Sequence, residues 1–62
     1  MTLDQIQARL KNSKLKDVES HTGIGENALY RIRGAMGRPP SKATLAKLAD
    51  FYIRLEAGNI KL

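Results

Sequence analysis

The sequence predicts an all-α chain of four short helices, and three observations lead to that expectation. Apolar residues recur three or four positions apart, as in Leu3, Ile6 and Leu10 or Leu45 and Leu48, and nowhere in sustained alternation. These segments are divided by residues that stop helices: Asn12 with Ser13, Gly23, and the stretch from Gly34 to Pro40 with its two glycines and two prolines. Finally, 62 residues without a cysteine support one small core, with no disulfide framework and no cysteine zinc site to reinforce it. A single domain over residues 1–62 is expected.

Taken in order, the first helix opens on Thr2, with Gln5 three residues on in the pattern of a capping box. It buries Leu3, Ile6 and Leu10 and leaves Asp4, Gln5, Arg9 and Lys11 to solvent. Asn12 and Ser13 break the pattern and are expected to cap the second helix, placed at about 14–21. Leu15 and Val18 share its inner face. Gly23 then allows a sharp turn, Ile24 plugs it, and a third helix follows at about 26–33. The segment 14–34 therefore predicts a helix-turn-helix. Pro40 and Ser41 open a fourth helix at about 41–57, Gly58 stops it, and a short tail covers 58–62.

The outward face of the third helix suggests the chemistry. At about 100° per residue, Ala28, Leu29 and Ile32 fall in one sector that is expected to pack inward. The opposite side carries Glu26, Asn27, Tyr30 and Arg31. Asn pairs with adenine, Arg with guanine, Glu accepts from the cytosine amino group, and Tyr packs on a thymine methyl or donates to a phosphate. These four are the candidates for base readout in a DNA major groove. Duller roles stand beside them: Glu26 also suits a helix N-terminus by charge alone, and Tyr30 also suits the edge of a core.

A net charge of +5 favours a polyanionic partner. Charge alone is equally compatible with a basic surface of no specific target; joined to the turn motif it favours double-stranded DNA. Candidate phosphate contacts are Lys14 and Lys16 at the start of the second helix, Arg33, and Arg38, Ser41 and Lys42 around the start of the fourth. Arg33 also suits simple charge placement at a helix C-terminus. Lys11, Arg54 and Lys61 read as solvated charge.

Apolar residues of the fourth helix spread over roughly 200°, wider than the ~100° stripe that docking on one small core requires. Phe51, Tyr52, Ile53, Leu55 and Ile60 are therefore candidates for a dimer or partner interface, with a homodimer expected at least on DNA. The competing account is a central fourth helix over which the tail, Asn59 to Leu62, folds back.

The segment from Lys14 to Gly34, with Gly23, Ile24 and Gly25 followed by Glu26 and Asn27, resembles the helix-turn-helix of the phage repressor and Cro class (XRE-type regulators). Thr44 to Asp50 looks like the helix that follows it there, and the resemblance covers about residues 3 to 55. It implies a compact four-helix lambda-repressor-like fold and a Cro-like or prophage transcription regulator that occupies a two-fold operator as a dimer. Three positions depart from the family pattern. Glu19 stands where alanine is usual and is expected to bend outward, towards an arginine such as Arg31 or Arg33. Thr22 replaces an apolar residue before the turn glycine and weakens the core slightly. Leu15 replaces a polar phosphate contact. The family's usual fifth helix has no counterpart either.

Other function classes find less support. The single histidine, His21, has no cysteine or second histidine to build a metal site or nucleophilic pair, so no enzyme, metal, cofactor or small-molecule ligand is expected. No apolar run approaches the ~20 residues of a membrane span and the N-terminus lacks a secretory pattern. The expectation is a cytoplasmic protein, nucleoid-associated, and bacterial or phage-encoded in origin. The alternative function is an antitoxin-type or accessory DNA-binding protein whose fourth-helix face holds another protein.

Overall fold

The computed structural model describes residues 1–61 and contains α1 (Leu3–Lys11), α2 (Leu15–Thr22), α3 (Glu26–Arg33) and α4 (Lys42–Glu56). There is no strand among the described residues. The all-α, four-helix class is thus the observed one. No helix among the described residues is long and apolar enough to cross a membrane.

Local chemistry explains each boundary. Thr2 and Gln5 form a reciprocal capping box: the Thr2 hydroxyl accepts from the Gln5 amide and the Gln5 side chain accepts from the Thr2 amide. The expected capping of α2 by Asn12 or Ser13 does not occur. Ser13 Oγ instead donates to the Arg9 carbonyl and bonds the Tyr52 hydroxyl at 2.9 Å, and α2 starts from Lys14 with no side-chain cap. The hydroxyl is drawn back to the core because Tyr52 needs a partner there. At the other end of α2, Gly23 takes φ 76°, and its amide donates to the Glu19 carbonyl at 2.8 Å. That left-handed step closes the helix and launches the turn.

α3 ends at Gly34 in a similar wrap, but its left-handed residue is not a glycine. Ala35 sits at φ 53°, its amide donates to the Ile32 carbonyl, and the Met36 amide donates to the Arg31 carbonyl. α4 opens on Ser41, whose hydroxyl accepts from the Thr44 amide, and closes at Ala57 before Gly58.

Eight side chains form the core: Ile6, Leu10, Val18, Leu29, Ile32, Leu48, Phe51 and Tyr52. α1 and α2 each pack against both α3 and α4. Two expectations for α4 are corrected here. Phe51 and Tyr52 are 3% and 1% exposed, so they are core residues and not interface residues. They meet edge to face, ring centroids 4.9 Å apart, and His21 lies over Phe51 at 5.7 Å. Leu45, Ala49 and Leu55 are partly buried beside them, and Ile60 of the tail also packs on the core. The broad apolar face of α4 is therefore used within one copy of the chain, with Ile60 folded back over it. Ile53 alone of the five interface candidates is exposed, at 56%. Leu62, the end of the expected tail, lies outside the described residues.

Candidate nucleic-acid interface

The outer face of α3 presents Glu26, Asn27, Tyr30 and Arg31, all exposed. Ala28 joins them. It was expected to face inward, but only Leu29 and Ile32 do so, because two positions per eight-residue helix suffice to reach a core this small. Tyr30 is 52% exposed and so does not cover the core edge. The guanidinium carbon of Arg33 lies 4.8 Å from its ring centroid, a cation–π contact that holds the ring upright on the helix surface.

Two clefts flank this face. One is lined by Lys14, Lys16 and Asp17 from the start of α2 and by Glu26, Tyr30 and Arg33 from α3. The other is lined by Ala28 and Arg31 from α3, Arg38 and Pro40 from the loop, and Thr44 from α4. The fold thus gathers Lys14, Lys16 and Arg33 on one side of Tyr30 and sets Arg38 beside Arg31 on the other. Lys42 is exposed at the first position of α4, where helix amides also favour an anion. Ser41 is exposed too, but its hydroxyl is engaged with the amide and hydroxyl of Thr44.

Charge is distributed to match. Among the described residues the ion pairs are Arg9 with Glu56 and Arg54 with Asp50. The first joins α1 to α4 and the second lies within α4; neither involves a residue of α3. Lys14, Lys16, Arg31, Arg33, Arg38 and Lys42 take part in neither, so their charge is available to an anionic partner.

Several residues that shape this surface were not legible as such. Glu19 does not pair with Arg31 or Arg33. Its Oε2 accepts a hydrogen bond from the Glu26 amide at 2.8 Å, because Gly25, the N-cap of α3, has no side chain to do so. Thr22 Oγ1 donates to the Val18 carbonyl at 2.7 Å and accepts from the Ile24 amide at 3.2 Å, so the hydroxyl ties the turn together. Gln7 Nε2 donates to the Ile32 carbonyl at 3.1 Å and anchors the C-terminal end of α3 to α1. The one sequence signal for these partners was a glycine at the α3 N-cap, which leaves a helix start in want of an acceptor.

His21 Nδ1 bonds the backbone carbonyl of Asp17 at 3.0 Å. Among the described residues no group of three His, Cys, Asp or Glu side chains is placed to hold a metal ion. No family model, no curated protein and no solved structure matches this chain.

Proposed function

We propose that this protein is a sequence-specific double-stranded DNA-binding transcription regulator that sets α3 in the major groove. The observation that carries the proposal is the exposed row of Glu26, Asn27, Tyr30 and Arg31, flanked by five cations that take part in no ion pair among the described residues. Asn27 and Arg31 supply bidentate donors and acceptors for purine edges. Tyr30, braced by Arg33, offers a ring to a thymine methyl. Lys14, Lys16, Arg33, Arg38 and Lys42 hold the phosphates on either side, and the engaged hydroxyl of Ser41 leaves the α4 end to contribute through its amides.

Helix length argues for two copies. An α3 of eight residues is about 12 Å long, which spans only three or four base pairs at ~3.4 Å each. Two such helices on half-sites about one helical turn apart double the sequence read. Dimer contacts in this proposal centre on Ile53, with Leu55 and Ile60 at its margin. Six phosphates neutralised per copy predict log K falling with log salt at a slope of about −5.

Selection of bound sequences from a random duplex pool at near-physiological salt tests the proposal. A two-fold motif with half-sites about one turn apart supports it; binding without an enriched motif refutes sequence-specific regulation. A second reading rests on the exposure of Ile53, which also suits a different protein on α4, as in an antitoxin or accessory factor. Enrichment of a single, unpaired half-site would favour it.

A further inference from the structure

We infer that Glu19 is a positioning residue of the reading surface: its carboxylate, carried on α2, caps the first turn of α3 and sets how Glu26 and Asn27 meet the bases. The inference rests on the DNA-reading function proposed above.

A helix start leaves its first amides without intrahelical partners. α1 and α4 meet this need with their own N-cap side chains, Thr2 and Ser41. α3 begins at Gly25 and has none. The Glu19 carboxylate fills the vacancy from the neighbouring helix at 2.8 Å, in the range of charge-assisted bonds. Its negative charge also suits the positive end of the helix. A Cβ added at Gly25 would meet only Glu19 Oε2, at 3.8 Å, so no other group crowds this corner.

The two halves of α3 are held differently. From Leu29 onward it is fixed by Leu29 and Ile32 in the core and by Gln7 on the Ile32 carbonyl. In the first turn, Glu26, Asn27 and Ala28 are all exposed, and Glu19 is the side chain that bonds this turn among the described residues. Loss of the cap therefore loosens the first turn and leaves Arg31 in place. The expected signature is selective: discrimination fails at base pairs read by Glu26 and Asn27 and persists at those read by Arg31. A residue that merely stabilised the fold would weaken all positions alike.

The test compares Glu19→Ala, Glu19→Gln and the double variant Glu19→Ala with Gly25→Ser. Each is measured for hydrogen exchange at the Glu26 and Ala28 amides in the free protein, and for binding to the selected operator and its single-base-pair variants. Gly25 has φ −59° and ψ 146°, a conformation open to serine, whose hydroxyl then supplies a local cap. Glu19→Ala is expected to speed exchange about five-fold, the scale of a lost N-cap, and to lower by a similar factor the preference at base pairs that depend on Asn27. Glu19→Gln, which keeps an acceptor, restores both; the double variant restores the preference and slows exchange at the Ala28 amide, the third-residue position that Thr2 and Ser41 cap in α1 and α4. Unchanged exchange overturns the inference. So does faster exchange with preferences either intact or lowered evenly. Should Glu19→Ala not fold, a folded double variant with wild-type preferences supports it, and one lacking preference at the Asn27 base pairs overturns it. If the wild type selects no sequence, the DNA-reading proposal has itself failed, and the absent motif distinguishes that failure.

Discussion

Tyr52→Phe isolates one hydroxyl at the junction between core and interface. Tyr52 is 1% exposed, and its hydroxyl meets Ser13 Oγ at 2.9 Å, one residue before Lys14 opens α2. The substitution keeps the ring, and with it the edge contact to Phe51, so no cavity forms. Ser13 Oγ keeps its bond to the Arg9 carbonyl, so no buried group is orphaned. What remains is the net worth of one hydrogen bond, about 1 kcal/mol. Unfolding entropy for 62 residues is about 130 cal/mol/K, which converts that loss into a fall in Tm of about 8 °C.

The same hydroxyl makes a signed prediction with pH. Burial, the larger cause, raises the Tyr52 pKa above its ordinary 10.0, against lowering by the Ser13 bond and the Arg9 charge. The folded state then keeps the Tyr52 proton where the unfolded state has lost it. Wild-type stability contributed by this group is fully present below about pH 10 and is lost as pH rises through the folded value, at up to ~1.4 kcal/mol per pH unit. Every other group is common to both proteins and cancels in the comparison. Thermal melts followed by circular dichroism from pH 7 to 11 should show the gap between wild type and Tyr52→Phe narrowing above pH 10. Equal Tm at pH 7, or a gap that stays constant to pH 11, would refute the reasoning. Altered oligomeric state in sedimentation would return Tyr52 to the surface.

Three further predictions concern the turn, the DNA surface and α4. Ala35→Gly relieves a left-handed residue at φ 53° and should raise stability by about 0.5–1 kcal/mol in denaturant melts; a loss would show that the alanine methyl is needed. Asn27→Ala and Arg31→Ala should each cost about 1–3 kcal/mol on the selected site and relax preference at particular base pairs. Lys42→Ala should instead weaken all DNA alike and reduce the salt slope by about one. Losses on specific and random DNA that are equal for Asn27→Ala, or an unchanged slope for Lys42→Ala, would reverse those assignments. Ile53→Lys, exposed and so tolerated by the fold, should yield monomers in sedimentation equilibrium; persistent dimers would move the interface off α4.

Much of the fold was legible because local chemistry and helical period agree. The Thr2 and Gln5 capping box, the glycine stop at Gly23 and the Ser41 start of α4 are each decided by residues within four positions of one another. What was misread depends on partners distant in the chain. Ser13 looks like an N-cap for α2 until Tyr52, thirty-nine residues on, claims its hydroxyl. The angular width of the α4 apolar face was also real. Its cause lay in packing: α1 and α2 both pack on α4, and Ile60 joins them on the core that Leu48, Phe51 and Tyr52 help to form, so the wide stripe is covered within the chain.

The candidate interface divides along the same line. Which α3 side chains point outward follows from the period, and Asn27, Tyr30 and Arg31 are exposed as that period requires. The single angular error, Ala28, arose from assuming that the buried sector was filled to its edge. Glu19 is a different kind of miss. At the position where the repressor-like pattern expected from the sequence has alanine, a longer side chain looked like an obstacle to be turned outward. Whether such a residue obstructs or supports depends on what the opposite helix lacks, and here Gly25 deprives α3 of its own cap. Glu19 and Gly25 therefore make sense as a pair: glycine leaves the first amide of α3 without a local acceptor, and glutamate supplies one. Substituting serine at residue 25 should make the identity of residue 19 unimportant, whereas alanine at residue 19 alone should not be tolerated equally.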